Sequence, residues 1–352
     1  MFTAKWPKVL GCNPFGYGVL DEYFSAPEVL SNRVYLEKKV DPTNNEPLDF
    51  HHVPVLAEEV LTALSPQAGE LFVDGTLGGG GHTEMLLRAG AHVIGLDQDK
   101  TALRHTSDLL AKYGEAFHPV HANFRDLVKV LKDLAIDEID GLLLDVGVSS
   151  HQLDVASRGF SFQNNGPLDM RMDQSSGVSA ADIVNTADVE ELIRIFRQYG
   201  EEPSAVRIAR HLVEVRQKKT LSTTRELASA VEEILPRRGK KHPATQIFQA
   251  LRIAVNDELG VLESILHEAP HFLKKGARFA VITFHSLEDR LVKQNFRTYS
   301  QPTLDRPEWP AAKPNPDCIY HLLHRKSITV STDELTRNPR SRSARLRAVK
   351  KI

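Results

Sequence analysis

The sequence predicts an α/β protein with one doubly wound, mostly parallel sheet and an inserted helical domain. Three observations carry that prediction. Short apolar strands alternate with amphipathic helices between residues 52 and 149. Three of those strands end on an acid, at Asp74, Asp97 and Asp145. The alternation then stops for roughly a hundred residues, about the size of a small domain, and resumes with one more buried strand, "ARFAVITFHS".

Taken in order, "ELFVDGT" is a short strand and "GHTEMLLRAG" a helix closed by Gly90. "HVIGLDQD" is the second strand and "KTALRHTSDLLAKYG" the second helix, stopping at Gly114. "FHPVHANF" makes an edge or distorted strand, because Pro119 cannot donate to a ladder. "RDLVKVLKDL" is a helix, and "IDGLLLDVGVSS" is the near-continuous apolar run of a strand buried on both faces. Beyond it, "GFSFQNNGPLDMRMDQSSG" reads as a long loop. Amphipathic helices follow in "VEELIRIFRQYG", "PSAVRIARHLVEVRQ" and "TTRELASAVEEIL", the last with Ser222 or Thr223 as its cap. "QIFQALRIAVNDELGVLESILHEAPHFLKKG" reads as long helix. After the late strand come a helix, "LEDRLVKQNFRTY", and a last strand pair within "IYHLLHRKSITVS". The expected division is an N-terminal extension over residues 1–50, a discontinuous sheet domain over 51–149 and 246–352, and a helical substrate-recognition domain over 150–245.

Composition narrows the partners. The 352-residue chain is 41% apolar and 26% charged, with a formal net charge of −2. It has no overall attraction for nucleic acid, so an anionic partner must be met by local basic patches. Cys12 and Cys318 stand in no metal-binding spacing, which points to a reducing compartment and away from a disulfide framework or zinc finger. No apolar run reaches the length of a membrane span, and residues 1–50 lack the core of a secretory signal. The cytoplasm is the expected location, with neither membrane nor metal as a partner.

Gly78 to Gly81 follow the first strand and open the first helix. The dinucleotide fingerprint needs Gly-x-Gly-x-x-Gly or Ala. With Gly78 and Gly80 in its first two places, the third is Thr83. A pyrophosphate at that helix start would also lie beside the Asp74 carboxylate. A ligand with a cationic part suits the position better. S-adenosylmethionine offers Asp74 a sulfonium and an ammonium, and its carboxylate can take the N–H groups near Gly80–His82. Asp97 is placed to accept both ribose hydroxyls, and Asp145 ends a further strand of the same sheet. A glycine turn serving only strand–helix packing is the plainer alternative.

These motifs belong to a longer series. "HVPVL" (52–56), "DGTLGGGGHT" (74–83), "LLLDVGVSSHQLD" (142–154), "RGFSFQNNGPLDMRMD" (158–173), "YGEE" (199–202), "HPATQIFQALRIAVNDEL" (242–259), "FHSLEDRLVK" (284–293) and "NPRSRSARLRA" (338–348) resemble, in order, the RsmH or MraW family. The resemblance covers about residues 52 to 350 and leaves 1–50 outside. It implies a class I (Rossmann-like) methyltransferase that moves a methyl group from S-adenosylmethionine to the exocyclic N4 amine of a cytidine. The cytidine lies in the decoding region of 16S ribosomal RNA, in the small ribosomal subunit. It further implies that Gly80, Gly81 and His82 hold the methionine end of the cofactor and Asp97 its ribose. Phe124 would pack by the adenine, and Asp145 and Gln152 would complete the pocket. Phe124 and Gln152 rest on the resemblance alone.

A cytosine amine is a weak nucleophile, so the chief demands are in-line positioning and desolvation. Asp145 is the candidate acceptor for the amine. Many amine methyltransferases carry Asn or Asp, two prolines and an aromatic at this strand end; "DVGVSS" stands here instead and leaves the base-holding group open. "TFHSLEDR" offers Phe284 to stack and His285 or Ser286 to bond the base. Alternatively Glu288 and Asp289 cap a helix and His285 is structural. The cytidine must be unstacked and its RNA held by phosphates. "PRRGKKH" (236–242), with Arg237, Arg238, Lys240 and Lys241, is one expected grip. The tail from Arg337 to Lys351, with Arg340, Arg342 and Arg345, is the other. Arg158 and Arg171, with Phe160 and Phe162, lie in a loop suited to stacking and phosphate contact, or to a lid over the cofactor. The competing classes are an NAD-type oxidoreductase or small-molecule methyltransferase on the same sheet, and a non-catalytic RNA-binding factor. Cofactor choice and the rim of the pocket separate the first pair; the set Asp74, Asp97 and Asp145 weighs against the last.

Overall fold

The computed structural model describes residues 54–237, 242–305 and 310–352. α1 (Ala57–Leu64) leads into β1 (Leu71–Asp74), α2 (Gly81–Arg88), β2 (His92–Asp97), α3 (Lys100–Leu110), β3 (Phe117–His121), α4 (Leu127–Asp133) and β4 (Ile139–Asp145). The interruption runs through α5 (Ser150–Asp154), α6 (Ala180–Thr186), α7 (Val189–Gln198), α8 (Ala205–Lys218), α9 (Thr224–Ile234), α10 (Ala244–Asn256) and α11 (Glu258–Glu268). β5 (Leu273–Thr283) and α12 (Ser286–Ser300) follow, then a small hairpin of β6 (Thr303–Leu304) and β7 (Lys313–Pro314). The chain closes with β8 (Tyr320–Leu322), β9 (Ile328–Thr329), α13 (Thr332–Arg337) and β10 (Arg345–Lys351).

The main sheet has the order β3-β2-β1-β4-β5-β10-β8, with β9 pairing the start of β10. β1 to β5 are parallel, and β10 lies antiparallel between β5 and β8. The chain moves outward from β1 to β3 and then returns to the other side of β1 as β4. That reversal opens a crevice beyond the C-terminal ends of β1 and β4. Both faces of the sheet are covered. Leu142 and Leu144 of β4 share one core with Phe279 and Val281, while Leu143 shares the other with Ala280 and Ile282. Successive side chains therefore enter opposite cores, and the strand reads as unbroken apolar sequence. At Gly141 an added Cβ would lie 2.2 Å from the Phe72 ring, so β1 fills the space that a side chain on β4 would need.

The interruption buries a core of its own. Leu192 and Phe196 of α7, Ile208 and Leu212 of α8, Leu227 of α9 and Leu251 of α10 pack with Phe160, Leu168 and Met170 of the preceding loop. Of the two cap candidates, Thr223 caps α9, in a reciprocal box with Glu226. The expected long helix breaks at Asp257, where φ is 49°. This break parts α10, buried in the helical core, from α11, whose Leu262 and Ile265 pack on the sheet. The boundary expected after residue 245 thus cuts the first turn of a helix that packs in the insertion's core. His52–Ile352 is one compact unit. Glu201 helps join its parts, accepting from Ser286 Oγ at 2.6 Å and from Arg290 at 2.9 Å.

The C-terminus departs most from expectation. The basic tail contains strand β10, with Leu346, Ala348 and Val349 buried inside the sheet. Arg347 forks the Asp289 carboxylate at 2.8 and 3.1 Å, with Arg345 3.8 Å from the same group. Arg340 pairs with Asp154, at 2.9 Å for its longer bond. Lys351 donates to the carbonyls of Pro270 and Leu273, at 2.6 Å each. Arg340 and Arg345, expected to grip RNA, lie near these carboxylates but keep exposed side chains, as does Arg342, so Arg347 and Lys351 are the tail cations drawn into the fold. Among the described residues no helix is long and apolar enough to cross a membrane.

Candidate active site

The turn after β1 is built around Asp74. Its side chain is 1% exposed. Oδ1 accepts from the Thr76 backbone N–H at 3.0 Å, and Oδ2 from the Thr83 hydroxyl at 2.7 Å. The carboxylate is spent on fastening the glycine turn to α2 and does not line the cleft. The expectation that Asp74 meets the cofactor's cation is corrected on this point: two threonine hydroxyls, at i+2 and i+9, give it internal partners. Gly80 has φ +76°, and an added Cβ would lie 2.5 Å from the Thr106 methyl, so glycine is required there on both counts.

A cleft of about 350 Å³ lies at the strand ends, lined by the turn from Gly78 to His82 and by Asp97, Phe124, Asp145, Gln152 and Phe284. The structure thus brings together every sequence-derived cofactor candidate except Asp74. Asp97 is aimed by two backbone donors, Gly78 N–H to Oδ2 and Asp99 N–H to Oδ1, both at 2.8 Å. Burial lifts its pKa to about 6, against those two bonds. Gln152 is buried in a capping box with Ser149 at the start of α5.

Asp145 is the unusual group. Its backbone N–H donates to Thr76 Oγ1 at 2.6 Å. Its Oδ1 is buried without a hydrogen-bond partner among the described residues. Burial first, then the nearby Asp74 and Glu288 charges, push its pKa up to about 8. Oδ2 lies 3.7 Å from His82 Nδ1. His82 Nε2 is 2.9 Å from the Val55 carbonyl, so that nitrogen carries the proton and Nδ1 turns a lone pair toward Asp145. Burial holds His82 down at about 4, so it is neutral. An orphaned carboxylate oxygen in a buried cleft is a ready partner for a cation or an N–H donor.

The "TFHSLEDR" segment divides. Phe284 lines the cleft, and its backbone N–H donates to Glu288 Oε2 at 2.8 Å. His285 instead caps α12, its Nδ1 accepting from the Glu288 N–H. Ser286 is occupied by Glu201. His285 serves the helix cap together with Glu288, though Asp289 pairs with Arg347 instead of capping, and of the three candidates in this segment only Phe284 lines the cleft. Glu258, His285 and Glu288 bring ligand atoms within 4.8 Å of one another. Arg252 forks both oxygens of Glu258 at 2.8 Å, and backbone amides hold Glu288. A cation would have to displace these contacts. Arg252, Asn256 and Glu258 also line the cleft, which residue-type reasoning missed because "ALRIAVNDEL" reads as ordinary amphipathic helix.

The basic candidates separate as well. Arg158 is 6% exposed, ion-pairs with Asp99 and donates to the Met172 carbonyl at 2.8 Å. It fastens the loop to the end of β2 and offers nothing to a phosphate. Arg171 forks Asp169 at 2.8 and 2.9 Å. Met172 lines the cleft, so this loop forms a wall beside the cofactor candidates. Arg237 is exposed; Arg238, Lys240 and Lys241 lie outside the described residues.

The sheet order, with a glycine-turned crevice at its switch point, is that of a Rossmann-like protein, and with a methylase family match over most of its length the chain is a class I methyltransferase working with S-adenosylmethionine. A model of the MraW methylase family matches residues 49–352, and the chain belongs to that family. It is 49% identical to the ribosomal RNA small subunit methyltransferase H of Geotalea uraniireducens over 310 residues, 86% of this chain and 99% of that protein. The protein of the same name from Syntrophotalea carbinolica is 50% identical over 309 residues, 86% of this chain and 98% of that one. A solved rRNA methylase from Streptococcus thermophilus, 12% identical, covers 86% of this chain and 99% of its own. Its TM-score of 0.35 is too low to carry residue roles.

Proposed function

We propose that this protein methylates the exocyclic N4 amine of a cytidine in the decoding region of 16S ribosomal RNA, acting in the cytoplasm on the small ribosomal subunit. The observation that carries the chemistry is the buried Asp145 oxygen in the strand-end cleft, without a hydrogen-bond partner among the described residues. The RNA class comes from the names of the relatives, small subunit ribosomal RNA methyltransferases.

S-adenosylmethionine, when bound, supplies an electrophilic sulfonium methyl. The residues present fit it. The turn at Gly80 and Gly81 opens a helix N-terminus to a carboxylate. Asp97, already aimed by two amides, accepts ribose hydroxyls. Phe124 gives the adenine an apolar wall, with Gln152 closing the pocket. Phe284 offers a face to the target base. Asp145, once ionised, accepts one amine hydrogen, which favours the pyramidal nitrogen of the transition state and sets its lone pair in line. The methylated nitrogen is acidic and releases its proton to water, so no strong base is needed. The test is mass spectrometry of small-subunit RNA from cells with and without the protein. A new methyl on one decoding-region cytidine is expected; a methyl on another base, or none, would refute the assignment.

A further inference from the structure

Two stretches expected to touch RNA, far apart in sequence, meet on the helical layer. Phe162 lies in the loop before α6 and His242 just before α10. Their ring centroids are 4.4 Å apart with planes at 37°. Phe162 also meets Phe248 edge-on at 4.8 Å. The pair borders an open cleft of about 530 Å³ that also takes in Arg225 and Ser229 of α9 and Arg237 just beyond that helix. Arg225 and Ser229 did not stand out in the sequence. This cleft shares no lining residue with the one at the strand ends.

Its chemistry is that of a nucleotide platform. Single-stranded RNA is held by stacking bases on aromatic or histidine rings and by placing phosphates on arginines. His242 is fixed at both nitrogens: Nδ1 accepts from the Ala244 N–H at 3.0 Å, and Nε2 lies 2.8 Å from Glu232. A ring so fixed, 13% exposed and packed at a tilt on Phe162, stiffens the aromatic surface that the pair presents to the cleft. Arg225 is exposed, and its guanidinium has no ion-pair partner among the described residues. Arg237 pairs with Glu232 at 2.6 Å, but its side chain is 66% exposed. An exposed pair of this kind holds weakly, so the guanidinium can exchange carboxylate for phosphate.

We infer that this cleft binds one nucleotide of the substrate RNA other than the methylated cytidine, its base against Phe162 and His242 and its phosphate on Arg225 and Arg237. The inference rests on the ribosomal RNA reading above. It adds a second anchor that sets the register of the RNA across the methyl-transfer site.

The experiment uses the full chain. Arg225→Ala/Arg237→Ala changes two exposed side chains, and Phe162→Leu keeps an apolar contact with Phe248. Methylation kinetics are measured with small subunits and with naked 16S RNA over a salt series, together with S-adenosylmethionine affinity and ultraviolet cross-linking. The double variant should raise KM for both RNA substrates about tenfold, about what one lost charge-assisted contact costs. Its salt slope should fall by about one unit for the lost phosphate. kcat and cofactor affinity should not move. Phe162→Leu should raise KM without changing the slope, and wild-type RNA should cross-link to a peptide holding Phe162 or His242. Unchanged KM and slope in the double variant overturn the inference. So does a loss seen with subunits and not with naked RNA, which would assign the cleft to a ribosomal protein. A wild type that methylates no small-subunit RNA refutes the parent reading, an outcome distinct from an indifferent variant of an active enzyme.

Discussion

Asp145 Oδ2 and His82 Nδ1 face each other 3.7 Å apart, too far for a hydrogen bond, with a neutral imidazole and a carboxyl whose pKa is lifted to about 8. Near neutral pH Asp145 is therefore mostly protonated before a cation binds beside it. A cation beside it favours the ionised form. Binding of S-adenosylmethionine at about pH 7 should release up to about one proton from the wild type and none from Asp145→Asn. Calorimetry in buffers of different ionisation enthalpy reads this directly. Equal release from both proteins would place the cation elsewhere.

The same group sets a stability trend. An unfolded aspartate titrates near 3.8, whereas Asp145 in the fold titrates at about 8. Between those values the folded state binds more protons than the unfolded state, so stability falls as pH rises through that window. Asp145→Asn should flatten the decline and raise the melting temperature more at high pH than at low pH. Parallel scanning calorimetry across the window measures the gap. A variant that loses stability with pH as steeply as the wild type would clear Asp145 of that role.

Asp97→Ala should weaken S-adenosylmethionine by about 2–3 kcal/mol, through loss of charge-assisted bonds to two hydroxyls. With its pKa raised to about 6, wild-type affinity should also fall as pH drops below that value, because the protonated acid is a poorer acceptor. Titration calorimetry of a folded variant with unchanged affinity would remove Asp97 from the site.

Arg158→Ala leaves Asp99 buried beside Gln152 without its cation. The expected cost is about 3–5 kcal/mol of stability in denaturant. The salt dependence of RNA binding should stay as it is. Intact stability with a flattened salt slope would return Arg158 to the RNA surface.

Leu346→Ala in β10 should cost about 2–4 kcal/mol, since the side chain is buried within the sheet. Removing residues 345–352 should abolish folding by circular dichroism. Deleting residues 1–50 should leave S-adenosylmethionine binding intact, because the family match begins at residue 49. Loss of binding in that truncation would tie the extension to the core.

The sequence by itself determined the alternation of strands and helices, the glycine turn, and Asp97 and Asp145 at strand ends. These features are local. A strand buried on both faces must be apolar throughout, and a turn into a helix at positive φ needs glycine, whatever else the chain does. Tertiary structure decided which charged groups stayed free. Asp74 and Asp145 look alike in sequence, but Thr76 and Thr83 satisfy the first while one oxygen of the second is buried without a partner among the described residues. The C-terminal tail looks like a solvated grip throughout, yet β5 and β8 enclose its strand and Asp289 takes Arg347, while Arg340, Arg342 and Arg345 keep exposed side chains. His285 and Ser286 likewise find partners in Glu288 and Glu201, away from the cleft that Phe284 lines. Hydrogen-bond and ion-pair partners come from distant parts of the chain, so the availability of a polar side chain is a property of packing that residue type and spacing do not encode.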